Sequence, residues 1–174
     1  MTLAINIPLA RKHIEGLMLP GGRPFMDLAF FIVEQDLPYE EDLLRTPHDL
    51  KTWCRYLEAK RMNVLSDNRN EADSRLIMDF LYERALAHIP ASFRLWKEYL
   101  DIRVGRDTAL LEVDNIIALY ERCLCMFGRM PRIWIDYIHF LCRAWRLTEA
   151  RHAASRAFAS LPVTQHLRIW EVIM

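Results

Sequence analysis

A tryptophan followed three residues later by a tyrosine returns along this chain at nearly constant intervals, and few folds accommodate such a pattern. The pair occurs as Trp53-Cys54-Arg55-Tyr56-Leu57, as Trp96-Lys97-Glu98-Tyr99-Leu100 and as Trp134-Ile135-Asp136-Tyr137-Ile138. Trp170 stands near the end as the fourth member of the series, and the steps along it are 43, 38 and 36 residues. A second pattern alternates with the first: Leu81-Tyr82-Glu83-Arg84-Ala85-Leu86, then Leu119-Tyr120-Glu121-Arg122-Cys123-Leu124. Ala154-Ser155-Arg156-Ala157-Phe158 is a third copy that has lost the Tyr and Glu, and the arginines recur at steps of 38 and 34. Two interleaved patterns with one period describe a repeating unit of two elements.

Both elements have helical spacing. Trp and Tyr three apart, with an aliphatic residue four after the Trp, share one face of a helix. Leu81 and Ala85, with Ile77 and Met78 before them, form a similar stripe. Proline falls between elements: Pro90 before Trp96, Pro131 before Trp134 and Pro162 before Trp170, where a missing amide donor suits a first helical turn. The spacing predicts helices over 49–65, 71–88, 92–104, 112–127, 131–145 and 148–160, with another beginning near Thr164. Asp49 and Ser92 are placed to cap two of them. Upstream, a short helix is expected over 9–17 and a break at Gly21-Gly22. Two short helices follow, at 27–34 and 40–45, separated by a turn at Pro38. Residues 1–46 thus read as an acidic helical cap and 47–174 as repeats, the last of them incomplete.

These residues resemble the half-a-tetratricopeptide (HAT) repeat, whose first helix carries Trp-x-x-Tyr and whose second carries aromatic-Glu-Arg-Ala. Trp53/Tyr56, Trp96/Tyr99 and Trp134/Tyr137 match the first helix. Tyr82-Glu83-Arg84-Ala85 matches the second fully, and Tyr120-Glu121-Arg122-Cys123 nearly so. The approach Asp36-Leu37-Pro38-Tyr39-Glu40-Glu41-Asp42-Leu43-Leu44-Arg45-Thr46-Pro47 is similar to the amino-terminus of the SYF splicing-factor family, with the Crooked-neck type of scaffold as a near relative. The resemblance implies an all-α fold: a right-handed superhelix of antiparallel helix pairs, like the tetratricopeptide solenoid. It also implies a nuclear scaffold in the spliceosome, within the complex around the Prp-nineteen ubiquitin ligase, and in some members a part in transcription-coupled DNA repair.

Composition narrows the alternatives. Of 174 residues, 52% are hydrophobic and 26% charged, enough apolar material for a large core. Lys plus Arg equal Asp plus Glu at 23 each, which gives no support to affinity built on phosphate neutralisation. The balance is uneven along the chain: residues 1–128 carry a formal −4 and residues 129–174 a formal +4. An alternative reading is therefore a helical-repeat protein contacting RNA or an acidic partner at its basic end, through Arg143, Arg146 and Arg151. The apolar run at 28–33 is far shorter than the roughly 20 residues that span a bilayer, and no signal-peptide pattern opens the chain.

Chemistry-bearing motifs are missing from the reading. No hydrolase triad, phosphate-cradling glycine loop or His-Glu-x-x-His helix is visible, so no catalytic residue and no cofactor is expected. Cys123-x-Cys125 with His139 and Cys142 invites a zinc reading. Cysteines one residue apart diverge on a helix, however, and four ligands must converge, so buried thiols are expected instead. The recurring aromatics Trp53, Tyr56, Tyr82, Trp96, Tyr99, Tyr120, Trp134, Tyr137 and Trp170 are assigned to packing between repeats. Arg84 and Arg122, each beside a Glu, are assigned to bonds across a neighbouring turn or repeat.

Overall fold

The computed structural model describes residues 34–66, 71–105 and 112–173, and these are built of helices and short turns. The helices expected over 9–17 and most of 27–34, and the break at Gly21-Gly22, lie outside the described residues. Two compact units divide the chain, residues 1–92 and 93–174.

The first unit contains a 3-10 turn, Glu34–Asp36, followed by α1 (Leu37–Arg45), α2 (Leu50–Ser66) and α3 (Glu71–His88). Pro38 does not separate two helices as expected; it sits in the first turn of α1. The reason is local, because the first turn has no use for the amide that proline lacks. Thr46 closes α1 by donating both its backbone N–H and its hydroxyl to the Asp42 carbonyl. Asp49 then caps α2, accepting from the Lys51 and Thr52 amides at 3.2 and 3.3 Å and from the Thr52 hydroxyl at 2.7 Å. Those bonds satisfy amides that have no partner within the helix. They also hold the Asp49 carboxyl below its ordinary range, the Thr52 hydroxyl contributing most. Helix α2 packs on both α1 and α3. Trp53, Tyr56 and Leu57 on α2 and Ile77, Leu81 and Ala85 on α3 are buried side chains of the core.

The second unit runs through α4 (Phe93–Val104), α5 (Val113–Phe127), α6 (Pro131–Arg143) and α7 (Leu147–Ser160). A 3-10 turn, Val163–Gln165, then leads into α8 (His166–Ile173). Consecutive helices pack on one another, and α6 also packs on α8. Short connections between packed neighbours require the chain to reverse direction at each turn, giving antiparallel helix pairs. A contact from one first helix to the next, as between α6 and α8, is what a stacked repeat needs to extend its core.

The buried stripes follow helical spacing. On α5 they are Ile116, Leu119, Tyr120, Cys123 and Leu124; on α6, Ile133, Trp134, Tyr137, Ile138 and Leu141. Helix α7 instead buries Ala150, Ala153, Ala154 and Ala157, and so small a face lets it lie close against α6. Pro131 occupies the first turn of α6, and that helix ends at Arg143, two residues before the expected boundary. No described helix is long and apolar enough to cross a membrane.

Candidate functional site

The recurring residues come together as one arrangement built more than once. On α2, the Trp53 indole N–H donates to the Pro47 carbonyl at 2.8 Å; on α6, the Trp134 indole N–H donates to the Gly128 carbonyl at 2.7 Å. Each bond reaches six residues back and ties the first helix to the turn that precedes it. An arginine from the following helix then covers each indole. Arg84 lies 5.4 Å from the Trp53 ring centre, Arg122 lies 5.5 Å from that of Trp96, and Arg156 lies 5.4 Å from that of Trp134. A guanidinium over a ring face is attracted by the negative face of the π system.

Two of these arginines, Arg156 and Arg84, also grip carboxylates from an earlier helix of their own unit. Arg156 on α7 donates from its two terminal nitrogens to the two oxygens of Glu121 on α5, at 2.6 and 2.7 Å. The Tyr137 hydroxyl adds a third bond to Glu121 at 3.1 Å. With Arg156 as the first cause, these bonds lower the Glu121 carboxyl from its ordinary value. In the first unit, Arg84 on α3 makes the equivalent two-pronged grip on Glu40 of α1, both bonds 2.6 Å long. Tyr39 stacks on Tyr56 at 5.3 Å, as Tyr120 stacks on Tyr137 at 4.9 Å.

Tyr39-Glu40 therefore stands where Tyr120-Glu121 stands, a correspondence the sequence reading missed. Its signal was present in the spacing: Tyr39 precedes Tyr82 by 43 residues and Tyr82 precedes Tyr120 by 38, the steps also taken by the tryptophans. What hid it was Glu41-Asp42 in place of the Arg84-Ala85 and Arg122-Cys123 that follow in the later copies.

The two grips differ in their surroundings. Arg84 and Glu40 are 5% and 4% exposed at the side chain, whereas Arg156 and Glu121 are 52% and 36% exposed. A buried ion pair between Lys60 and Asp36 accompanies the first. Beside the second opens a cavity of about 330 Å³, which Asp114, Glu149 and His152 line together with Ile117 and Ala153. Burial, with Glu40 and Asp36 nearby, pushes the Tyr56 phenol far above its usual range, so it stays protonated.

Of the aromatics assigned to packing, Trp53, Tyr56, Tyr82, Trp96, Tyr99, Tyr120, Trp134 and Tyr137 are buried. Trp170 is 52% exposed and touches Phe158, their ring centres 5.1 Å apart. Arg143, Arg146 and Arg151 are all exposed. Arg146 is engaged with Asp114 at 2.6 Å and Glu149 at 3.3 Å. The cysteines diverge: Cys123 is buried, while Cys125 and Cys142 are exposed. Among the described residues no three His, Cys, Asp or Glu side chains are grouped to hold a metal ion.

Paired helices, an indole tied to the preceding turn, and an arginine bridging successive second helices together define a HAT-type helical-repeat protein. The family model for the Syf1/CNRKL1 pre-mRNA-splicing factor N-terminal HAT repeat matches residues 35–174, and the chain belongs to that family. It is 37% identical over 155 residues to human pre-mRNA-splicing factor SYF1, covering 85% of this chain and 16% of that protein. The Dictyostelium discoideum SYF1 protein is 40% identical over 139 residues, covering 78% of this chain and 15% of that protein. The Schizosaccharomyces pombe splicing factor cwf3 is 34% identical over 143 residues, covering 79% of this chain and 17% of that protein. The chain thus spans about a sixth of the length of these curated relatives.

Proposed function

We propose that this chain serves as a protein-binding scaffold in pre-mRNA splicing, in the nucleus, contributing no catalytic chemistry of its own. The observation that carries the reading is the Trp–Arg–Glu arrangement, repeated within a stretch that matches a splicing-factor family across residues 35–174. Its recurring polar groups are consumed in holding helices together, which leaves binding to the outer surfaces of the pairs. Trp53, Tyr56, Tyr82, Arg84, Trp96, Tyr99, Tyr120, Arg122, Trp134, Tyr137 and Trp170 hold the repeats, and residues 1–46 cap them. The partners are splicing-complex proteins, including factors around the Prp-nineteen ligase, with a further role in transcription-coupled DNA repair.

Direct RNA contact through Arg143, Arg146 and Arg151 is the weaker reading. Two carboxylates already neutralise Arg146, and a phosphate clamp needs uncompensated charge. Affinity capture of the full-length protein from nuclear extract, with and without nuclease, separates the two. Nuclease-resistant recovery of splicing proteins supports the scaffold. Recovery that disappears with nuclease would move the RNA reading ahead.

A further inference from the structure

The turn joining α6 to α7 holds an aromatic side chain in a place that serves the fold poorly. The Arg146 N–H donates to the Leu141 carbonyl at 2.9 Å, and the Trp145 N–H to the Cys142 carbonyl at 3.1 Å. This pair of bonds closes a helix in the Schellman manner, and it puts Trp145 at the left-handed position, with φ 57°. Glycine favours that position because a Cβ crowds the following carbonyl. Trp145 is the one non-glycine residue with positive φ among the described residues. The closing bonds use backbone atoms alone, so a glycine would make them equally well. Trp145 is 84% exposed, so its side chain adds little packing in return.

Backbone strain and an exposed large apolar surface, both at one residue, are the marks of a group kept for contact with something else. Leu147, 50% exposed, stands two residues on and enlarges the apolar tip. Arg143 is exposed in the last turn of α6, while Arg146 is already held by Asp114 and Glu149. Tryptophan and arginine are also the residues most often found to dominate protein–protein binding energy.

We propose that the α6–α7 turn is a docking point for a partner protein. Trp145 is the anchor that enters an apolar pocket on the partner, Leu147 packs beside it, and Arg143 meets carboxylates at the pocket's rim. Charge complementarity sets the partner's sign, since Arg143 is an exposed cation two residues before Trp145 that a partner carboxylate would answer. A protein fits better than RNA because the exposed Trp145 and Leu147 call for an apolar pocket, which a protein surface offers and a phosphate backbone does not. The proposal rests on the scaffold reading above and adds a location to it.

The test uses the full-length protein with a benzophenone amino acid at position 145, irradiated in nuclear extract, and a second variant, Trp145→Gly. The expected cross-link joins position 145 to one protein, within a peptide whose apolar residues are flanked by Asp or Glu. Trp145→Gly should then weaken binding of that purified protein by about 30-fold without lowering the melting temperature. A cross-link to RNA, the absence of any adduct, or unchanged binding by Trp145→Gly would overturn the proposal. So would a lowered melting temperature, since the indole would then be supporting the fold. If unsubstituted protein recovers no splicing proteins, the scaffold reading itself fails, which is a separate result.

Discussion

The Arg156 guanidinium lies 5.4 Å from the centre of the Trp134 ring while its two terminal nitrogens hold both oxygens of Glu121. One side chain therefore fastens three helices: α7, on which it resides, α6 beneath it and α5 beside it. Arg84 does the same for α3, α2 and α1 through Trp53 and Glu40. The geometry is common to both, but the solvent around them is not, and that difference sets the expected energetics.

Replacing Arg84 by Met leaves Glu40 as a buried carboxylate with its principal cation removed. Breaking a buried pair on one side typically costs about 3 to 5 kcal/mol. The half-exposed Arg156–Glu121 pair is screened by water, so Arg156→Met should cost about 1 kcal/mol, with a further fraction for the lost ring contact. Urea unfolding of both variants measures the contrast. Equal losses at the two sites would show that burial does not govern the arrangement.

Acid should reach the second pair through Glu121. Its carboxyl is held below the ordinary value of 4.5 in the folded protein, by Arg156 first and then by Tyr137. A group whose folded value is depressed contributes stability above its unfolded value and loses it as pH falls through the folded one. The pair's contribution should therefore be complete at neutral pH and fade below about 4.5. Glu121→Gln should lower stability at pH 7 and flatten this acid-side decline. Melting curves between pH 3 and 7 would show a parallel offset instead if Glu121 played no part.

The indole bonds give a different prediction. Trp134→Phe keeps a ring beneath Arg156 but removes the donor to the Gly128 carbonyl. The Gly128 carbonyl is half-buried and keeps the Ser160 hydroxyl as a donor at 3.2 Å, so Trp134→Phe should cost only about 1 kcal/mol, whereas Trp134→Ala should lose about 3 to 5 kcal/mol through the cavity as well. Calorimetric melting of the two variants should rank them in that order. Trp53→Phe, which breaks the bond to Pro47, should behave as Trp134→Phe does.

Thiol chemistry should separate the cysteines. Burial pushes the Cys123 thiol up to about 12, so it supplies almost no thiolate near neutrality, and the reactive species is the thiolate. Cys125 and Cys142 are exposed. A maleimide or disulfide reagent at pH 8 should label those two quickly and reach Cys123 only on unfolding. Peptide mapping after timed labelling measures this, and early labelling of Cys123 would contradict its burial.

Much of this arrangement was legible in the residues. The Trp and Tyr spacing located the helices to within a residue or two, because stacked pairs repeat the same buried stripe. Asp49 was readable as a cap, since a side-chain acceptor before a helix has few other uses. Tyr39-Glu40 was harder to read because its role depends on Arg84, 44 residues away and on a different helix. Pro38 misled for the opposite reason: as a residue of boundaries it marks a first turn as readily as a break. The left-handed Trp145 carries no sequence signal, since the rule for that position names glycine.

The bridges also have a direction. Glu121 on α5 offers its carboxylate forward, to the next second helix, while Arg156 on α7 reaches backward for it; Glu40 and Arg84 keep the same order. A second helix that carries both members of the Glu-Arg pair, as α3 and α5 do in sequence, can answer its predecessor and equip its successor, whereas α7 has Ser155 where the Glu would stand. An array of periods that keep both residues can lengthen by duplication of a whole period with each such carboxylate still matched. A shift of half a period would set first helices against second ones and leave both charges unanswered. Growth by whole units is then built into the chemistry of one bond.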